Sequence, residues 1–402
     1  MKRMVIEFML LLLSLSCTKD SSKETGKDGS NNDFYSTDEF VMGADLSYVN
    51  QIEDHGGVYK DSAMVRDPYH IFRNHGTNLV RLRLWHNPAW TKTVYEPAGA
   101  QLYNDIKDVE KSVKRAKELG MAVDLDFHYS DTWADPGNQN PPEAWKNITD
   151  INVLKDSVYQ YTYNNLNYLN SKGLLPEMVQ IGNEINCGML ITNTLQGFPN
   201  LNSCNNYWKN LGDVINAGIN AVRDISSQAG KDIKVILHVA DPKNVIWWFD
   251  KITTTGGVTD FDVVGFSYYP LWHTTIAYYN ITTIVADAKV KYNKDVMILE
   301  FAYPWTKENA DSYGNLFGNQ DPVSGFPYTL EGQKDLLIDF TQQMVTVGLS
   351  GIIYWEPAWI TSQMKDLWGT GSSWENCTFF DFDGNALPAF DYMTYRYQFP
   401  GK

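Results

Sequence analysis

The strongest constraint on this chain is a regular alternation. Apolar runs short enough to be strands recur at 40–45, 78–84, 121–127, 178–184, 233–238, 262–267, 296–300 and 351–355. Helix-like stretches lie between them, among them 105–119, 151–170, 210–227 and 331–347, the first three with apolar residues three and four apart. Eight strands alternating with helices in one continuous domain is the count of an α/β fold of the (β/α)8 TIM-barrel type. A doubly wound open sheet would also alternate, but no Gly-x-Gly-x-x-Gly turn follows the first run. With no internal repeat and no second linker, residues 38–402 read as a single catalytic-size domain.

What precedes that domain has a different composition. Lys2 and Arg3 lead into an apolar run at 9–13, too short to span a bilayer, and residues 1–16 read as a secretory signal peptide. The run closes in Leu13-Ser-Leu-Ser-Cys17, which resembles the lipobox of bacterial lipoproteins; that implies cleavage before Cys17 and lipidation of its thiol. Thr18-Lys19-Asp20 is similar to a surface-export tag of Gram-negative lipoproteins. Residues 17–37, almost free of apolar side chains, read as a flexible lipid-anchored tether of about 25 Å reach. The expectation is an outer-membrane lipoprotein at the cell surface, touching the membrane only through its anchor, and a monomer.

A net charge of −15 argues against nucleic acid and against polyanionic substrates. Aromatic residues make up 14% of the chain, which suits either a Trp-rich core or a cleft whose rings stack on sugar faces. The strand ends bear on that choice. In a barrel, side chains at the C-terminal ends of strands stand on rigid backbone and face an open loop layer. Here the fourth run ends in Asn183-Glu184 and the seventh in Glu300, after four apolar residues. The second carries Arg81 and Arg83, on one side of a strand because side-chain direction repeats every two residues, followed by Trp85. The third leads into His128, Trp133 and Asp135, the fifth gives His238, the sixth Tyr269 and the eighth Trp355 and Trp359. Two glutamates facing each other across the mouth are what glycoside hydrolysis needs: one protonates the leaving oxygen, and the other attacks the anomeric carbon or activates water. The structural alternative is a pair of core ion pairs with Arg81 or Arg83.

The stretches Arg81-Leu-Arg-Leu-Trp-His-Asn-Pro88, Asp126-Phe-His-Tyr-Ser-Asp-Thr-Trp-Ala-Asp-Pro-Gly137, Gln180-Ile-Gly-Asn-Glu-Ile185 and Tyr354-Trp-Glu-Pro-Ala-Trp359 closely resemble glycoside hydrolase family 53, the endo-β-1,4-galactanases. The resemblance runs from about Val41 to the C-terminus. It implies a retaining enzyme acting on pectic β-1,4-galactan, with Glu184 as acid/base and Glu300 as nucleophile and no cofactor needed for catalysis. On the same basis Asn183 would bond the sugar 2-hydroxyl, and Arg81 and Tyr269 would keep Glu300 ionised. Trp85, Trp133, Trp355 and Trp359 are candidate sugar platforms, with His128, Asp135 and His238 as hydroxyl partners and Arg83 in the binding set. Glu184 is expected to have a raised pKa from burial and the neighbouring carboxylate.

Bacterial relatives in the family often hold calcium in a loop after strand seven. In this chain Asp311, Asn315 and Asp321 occupy that region without a histidine, leaving a structural calcium at Asp311 and Asn315 as an expectation. Cys187 and Cys204 bracket the loop after Glu184 and could close it as a disulfide, or they and Cys377 could be buried thiols. Two further readings stay open: a retaining endo-hydrolase of another β-1,4 glycan, and a barrel that binds glycans without cutting them.

Overall fold

A computed structural model of the chain describes residues 35–401; the signal peptide, the Cys17 lipobox and the tether up to residue 34 lie outside the described residues. Eight parallel strands close on themselves: β1 (Val41–Asp45), β2 (Leu79–Leu84), β3 (Ala122–Phe127), β4 (Met178–Ile181), β5 (Lys234–Ala240), β6 (Val263–Tyr268), β7 (Asp295–Phe301) and β8 (Gly351–Tyr354). β1 pairs with both β2 and β8, so the ring has no free edge. The (β/α)8 barrel expected from the alternation is the observed fold.

Capping chemistry sets several helix ends. The side chain of Asp105 accepts from the Asp108 N–H and starts the helix Ile106–Glu118, and Thr329 does the same through Gly332 N–H for Leu330–Thr346. The helix Trp208–Ala229 runs two residues further in each direction than the spacing indicated, and it stops at Gly230 in a left-handed cap. Tyr35, inside the stretch expected to be tether, packs on Phe40, Tyr397 and Phe399, so the packed body begins before position 38.

The barrel interior is stratified. Its lower part is an apolar plug drawn from Val41, Leu79, Met178, Ile236, Val263, Met297, Leu299 and Ile353, as expected for layers of inward side chains. Above it the inward positions turn polar: Asp45, Arg81, Arg83, Asp124, Asp126, Gln180 and His238 are all buried. A second, larger apolar cluster fills the space between strands and helices. Burying so many charged groups is tolerable only if they pair with one another, and they do so directly under the mouth.

Two irregularities aim the glutamates. β4 ends at Ile181, earlier than the run to 184 suggested, because Gly182 (φ +87°) and Glu184 (φ +48°) turn the backbone. A Cβ on Gly182 would sit 2.6 Å from Ile185 Cγ2, so only glycine fits. In β7 the register against β6 jumps from Phe266↔Ile298 to Ser267↔Glu300, which makes Leu299 an extra residue. Simple alternation would point Glu300 away from the interior that Met297 and Leu299 face. The bulge instead turns two consecutive residues, Leu299 and Glu300, inward.

Candidate active site

Glu184 and Glu300 meet at the C-terminal mouth. Each brings a carboxylate oxygen to within 4.8 Å of the other and of a His238 ring nitrogen, and both residues are buried, at 8% and 5% exposed. Glu300 sits between two donors: Arg81 Nη1 at 2.9 Å on Oε1 and the Tyr269 hydroxyl at 2.8 Å on Oε2. The same guanidinium bonds Asp45 Oδ2, Asp126 Oδ2 and Asn183 Oδ1 at 3.0, 2.9 and 2.7 Å. With Gln180 Oε1 at 3.3 Å as well, one cation organises three carboxylates and two amides.

Among the described residues, no cation forms an ion pair with Glu184. Its Oε1 lies 2.6 Å from the Ser267 hydroxyl, which lies 2.8 Å from His238 Nε2. The Asn183 amide donates to Ala134 O at 2.7 Å, leaving its Oδ1 to accept from His238 Nδ1 at 2.9 Å. Burial holds His238 well below its ordinary value and therefore neutral, so with Nδ1 donating, Nε2 must accept. The Ser267 proton then goes to His238, and the bond between Ser267 and Glu184 is satisfied only when Glu184 carries a proton. Electrostatics point the same way. Burial, then the charge of Glu300, push Glu184 well above the usual carboxylate range. Burial also lifts Glu300 above its ordinary value, but Arg81 and the Tyr269 hydroxyl hold that rise down. The pair titrates as a unit, and its first proton belongs on Glu184.

Below them, burial alone would raise Asp126, yet Arg81 and His128 hold it under its ordinary value. Asp124, two residues earlier, is pushed up to about 7 by burial. Arg83 Nη2 bonds Glu356 Oε1 at 3.0 Å and its guanidinium is stacked by Tyr48, Trp85 and Trp133.

The cleft over the two glutamates has a volume of about 500 Å³. Of the residues expected to bind sugar, Asn183, Trp133, Asp135, Tyr269, Trp355 and Trp359 line it. Five others do not: Arg81, expected to act on Glu300, and four whose expected roles are corrected. His128 has both nitrogens committed, to Asp126 on one side and to Trp85 and Ala134 on the other. His238 is fully buried between Asn183 and Ser267. Trp85 and Arg83 are buried beneath Trp133 as a stacked layer. All four position other groups instead of touching the cavity. Arg81, at 1% exposed, acts through Glu300 and Asn183.

Sequence reasoning missed Ser267, which stands at a strand end like the others, and the exposed rims Trp272 (42%) and Trp368 (67%), which sit in loops where no spacing marks them. Nothing in the sequence marks the pairing of Glu356 with Arg83 or of Asp126 with Arg81.

The loop expected to bind calcium does not fit that ion. Asp311 accepts from Tyr313 N and Ser372 N and from the Thr361 hydroxyl, and the Asn315 amide is held by Asn309 and Glu308. In the adjacent loop Glu375 Oε2 and Asn376 Oδ1 have no hydrogen-bond partner among the described residues, far short of about six to eight oxygens. Glu184, His238 and Glu300 are close enough to bridge a cation, but His238 has no free nitrogen and Arg81 already neutralises Glu300. Cys187 and Cys204 are joined as a disulfide and Cys377 is a buried thiol.

Residues 41–393 match the model of glycosyl hydrolase family 53. The chain belongs to that family. It is 45% identical to an arabinogalactan endo-β-1,4-galactanase of Cellvibrio japonicus, over 89% of this chain and 92% of that one. An endo-β-1,4-galactanase of Bacillus subtilis is 31% identical over 89% and 86%. Among solved structures, a family 53 catalytic domain from Ignisphaera aggregans superposes with a TM-score of 0.76 at 32% identity, covering 90% of this chain and 98% of that one. A fungal β-1,4-galactanase gives 0.72 at 28%, covering 88% and 98%. As a family 53 glycosyl hydrolase the chain carries its acid pair on β7 and the turn after β4.

Proposed function

We propose that the protein is an endo-β-1,4-galactanase that cleaves internal bonds of pectic galactan and type I arabinogalactan, with retention of anomeric configuration and release of galacto-oligosaccharides. The observation that carries this is the carboxylate pair: an oxygen-to-oxygen approach within 4.8 Å suits the ~5–5.5 Å carboxyl spacing of retaining enzymes and falls short of the ~6.5–9.5 Å of inverting ones. Family membership, with relatives named as galactanases at up to 45% identity, supports galactan over other β-1,4 glycans. Both carboxylates are present with distinct environments, which weighs against a barrel that only binds.

In the first step Glu300 attacks the anomeric carbon while Glu184 gives its proton to the departing glycosidic oxygen, leaving a galactosyl ester on Glu300. Arg81 and Tyr269 keep Glu300 anionic until then. In the second step Glu184, now a carboxylate, takes a proton from water; the water oxygen attacks the same carbon and Glu300 leaves. As Glu184 loses its proton the Ser267 hydroxyl can turn its own hydrogen toward it. The Asn183 amide keeps one N–H beyond its bond to Ala134, and this is the donor for the sugar 2-hydroxyl. No cofactor takes part. Trp133, Trp272, Trp355 and Trp368 supply the apolar sugar-facing surface.

The reading is tested with linear galactan followed over time, alongside xylan and mannan. Mid-length oligosaccharides should appear first and the β-anomer should form initially by NMR. Early release of galactose alone, or faster cutting of xylan or mannan, would overturn it. We also assign the chain to the outer-membrane surface as a lipoprotein acylated at Cys17, acting as a monomer, on the lipobox-like run before that residue. Labelled fatty acid should be incorporated into the wild type and not into Cys17→Ala; equal labelling removes the assignment.

A further inference from the structure

We propose that the galactan track does not end at the catalytic cleft but continues on the leaving-group side, into a groove between the loop after β3 and the disulfide-closed loop after Glu184. The proposal rests on the galactanase reading above and extends it. This groove encloses about 430 Å³ and shares Pro136, Asn138 and Asn140 with the catalytic cleft, so the two adjoin. Its other polar groups are Gln139, Thr192, Asn193, Thr194 and Asn202.

Chemistry selects the occupant. No residue lining the groove is charged, although the chain carries a net charge of −15. Amides and hydroxyls that both donate and accept match a neutral polyhydroxylated chain, and they would leave an ionic ligand unpaired. Position selects which end of that chain. The far bank begins three residues after Glu184, which protonates the departing oxygen, so the sugars beyond that oxygen leave toward this bank.

The groove is also preformed. Gln139 Nε2 bonds Asn183 O at 2.8 Å and Ile191 N–H bonds Gln139 O at 2.6 Å, tying one bank to the other and to the catalytic turn. The far bank is closed by Cys187–Cys204 and by Ser203 N–H on Cys187 O at 2.8 Å. Rigid walls spare the ordering cost a floppy loop would impose on each sugar bound.

The test compares wild type, Asn193→Ala, and the combined Thr192→Ala/Asn193→Ala/Thr194→Ala variant, all with melting temperatures recorded. Each is assayed on long galacto-oligosaccharides and on an aryl β-galactobioside, whose single-ring leaving group cannot reach the groove. We expect kcat/KM on the long chains to fall about tenfold in the combined variant, the loss of one or two ordinary hydrogen bonds, with the aryl substrate unchanged. The cutting pattern of reducing-end-labelled chains should shift toward shorter leaving fragments. No change on long chains, or an equal change on both substrates, overturns the groove. If wild type fails to cut galactan at all, the galactanase reading itself falls; if wild type cuts and the variants cut alike, only the groove does.

Discussion

Glu184 and Glu300 open onto the same cavity, yet their neighbours differ in kind. Glu300 is gripped by a guanidinium and a phenol. Glu184 meets only a serine hydroxyl, backed by a neutral imidazole. The same contrast recurs on β3, where Asp126 touches Arg81 and is held low while Asp124 does not and rises to about 7. Contact with Arg81 opposes the rise that burial imposes on the acids it touches. The lesson is that identical side chains, equally hidden from water, take opposite roles through what stands beside them.

The largest effects come from deleting either carboxylate. Glu300→Gln and Glu184→Gln should each lower kcat on galactan by about 10³-fold or more. An aryl galactobioside with a good leaving group separates the two, because its departure needs no proton. Glu184→Ala should then show a burst of aryl alcohol followed by slow turnover, whereas Glu300→Gln should show none. A burst from the Glu300 variant would exchange the two roles.

Next in size is the support beneath them. Arg81→Met strands Asp45, Asp126 and Glu300 without their cation, and by denaturant unfolding it should cost on the order of 3–5 kcal/mol. Ser267→Ala, which removes the equivalent neighbour of Glu184, should cost only about 1 kcal/mol. Equal losses would mean the two acids are held alike.

The sequence made the barrel legible because hydrophobic periodicity is local: all eight strands and the helices 105–119 and 151–170 fall on the expected runs, with β4 stopping three residues early. The acids at the mouth were legible because strand ends are rigid and a buried carboxylate there stands out. What stayed hidden depends on contacts between distant residues. Nothing local marks the β7 bulge that turns Glu300 inward, and alternation alone would have pointed it out of the barrel. His128 and His238 read as sugar ligands because imidazoles at strand ends so often are. Only the coordinates reveal that their nitrogens are occupied. Trp272 and Trp368 lie in irregular loops, where a cleft ring and a stray surface ring look the same in one dimension.

The subtlest contrast is in pH. For kcat/KM, the acid limb reports Glu300 losing its proton in the free enzyme and the alkaline limb reports Glu184 losing its own. The Tyr269 hydroxyl lowers the Glu300 pKa, so Tyr269→Phe should raise it and move the acid limb to higher pH. The negative charge of Asp135 raises the Glu184 pKa, so Asp135→Asn should lower it and move the alkaline limb to lower pH. Each shift should be about half a unit, or ~0.7 kcal/mol, and the two together should narrow the profile from both sides. Each substitution is expected to leave the opposite limb in place. A Tyr269→Phe profile displaced on its alkaline side would put the stabilised anion on Glu184 and reverse the division between the two glutamates.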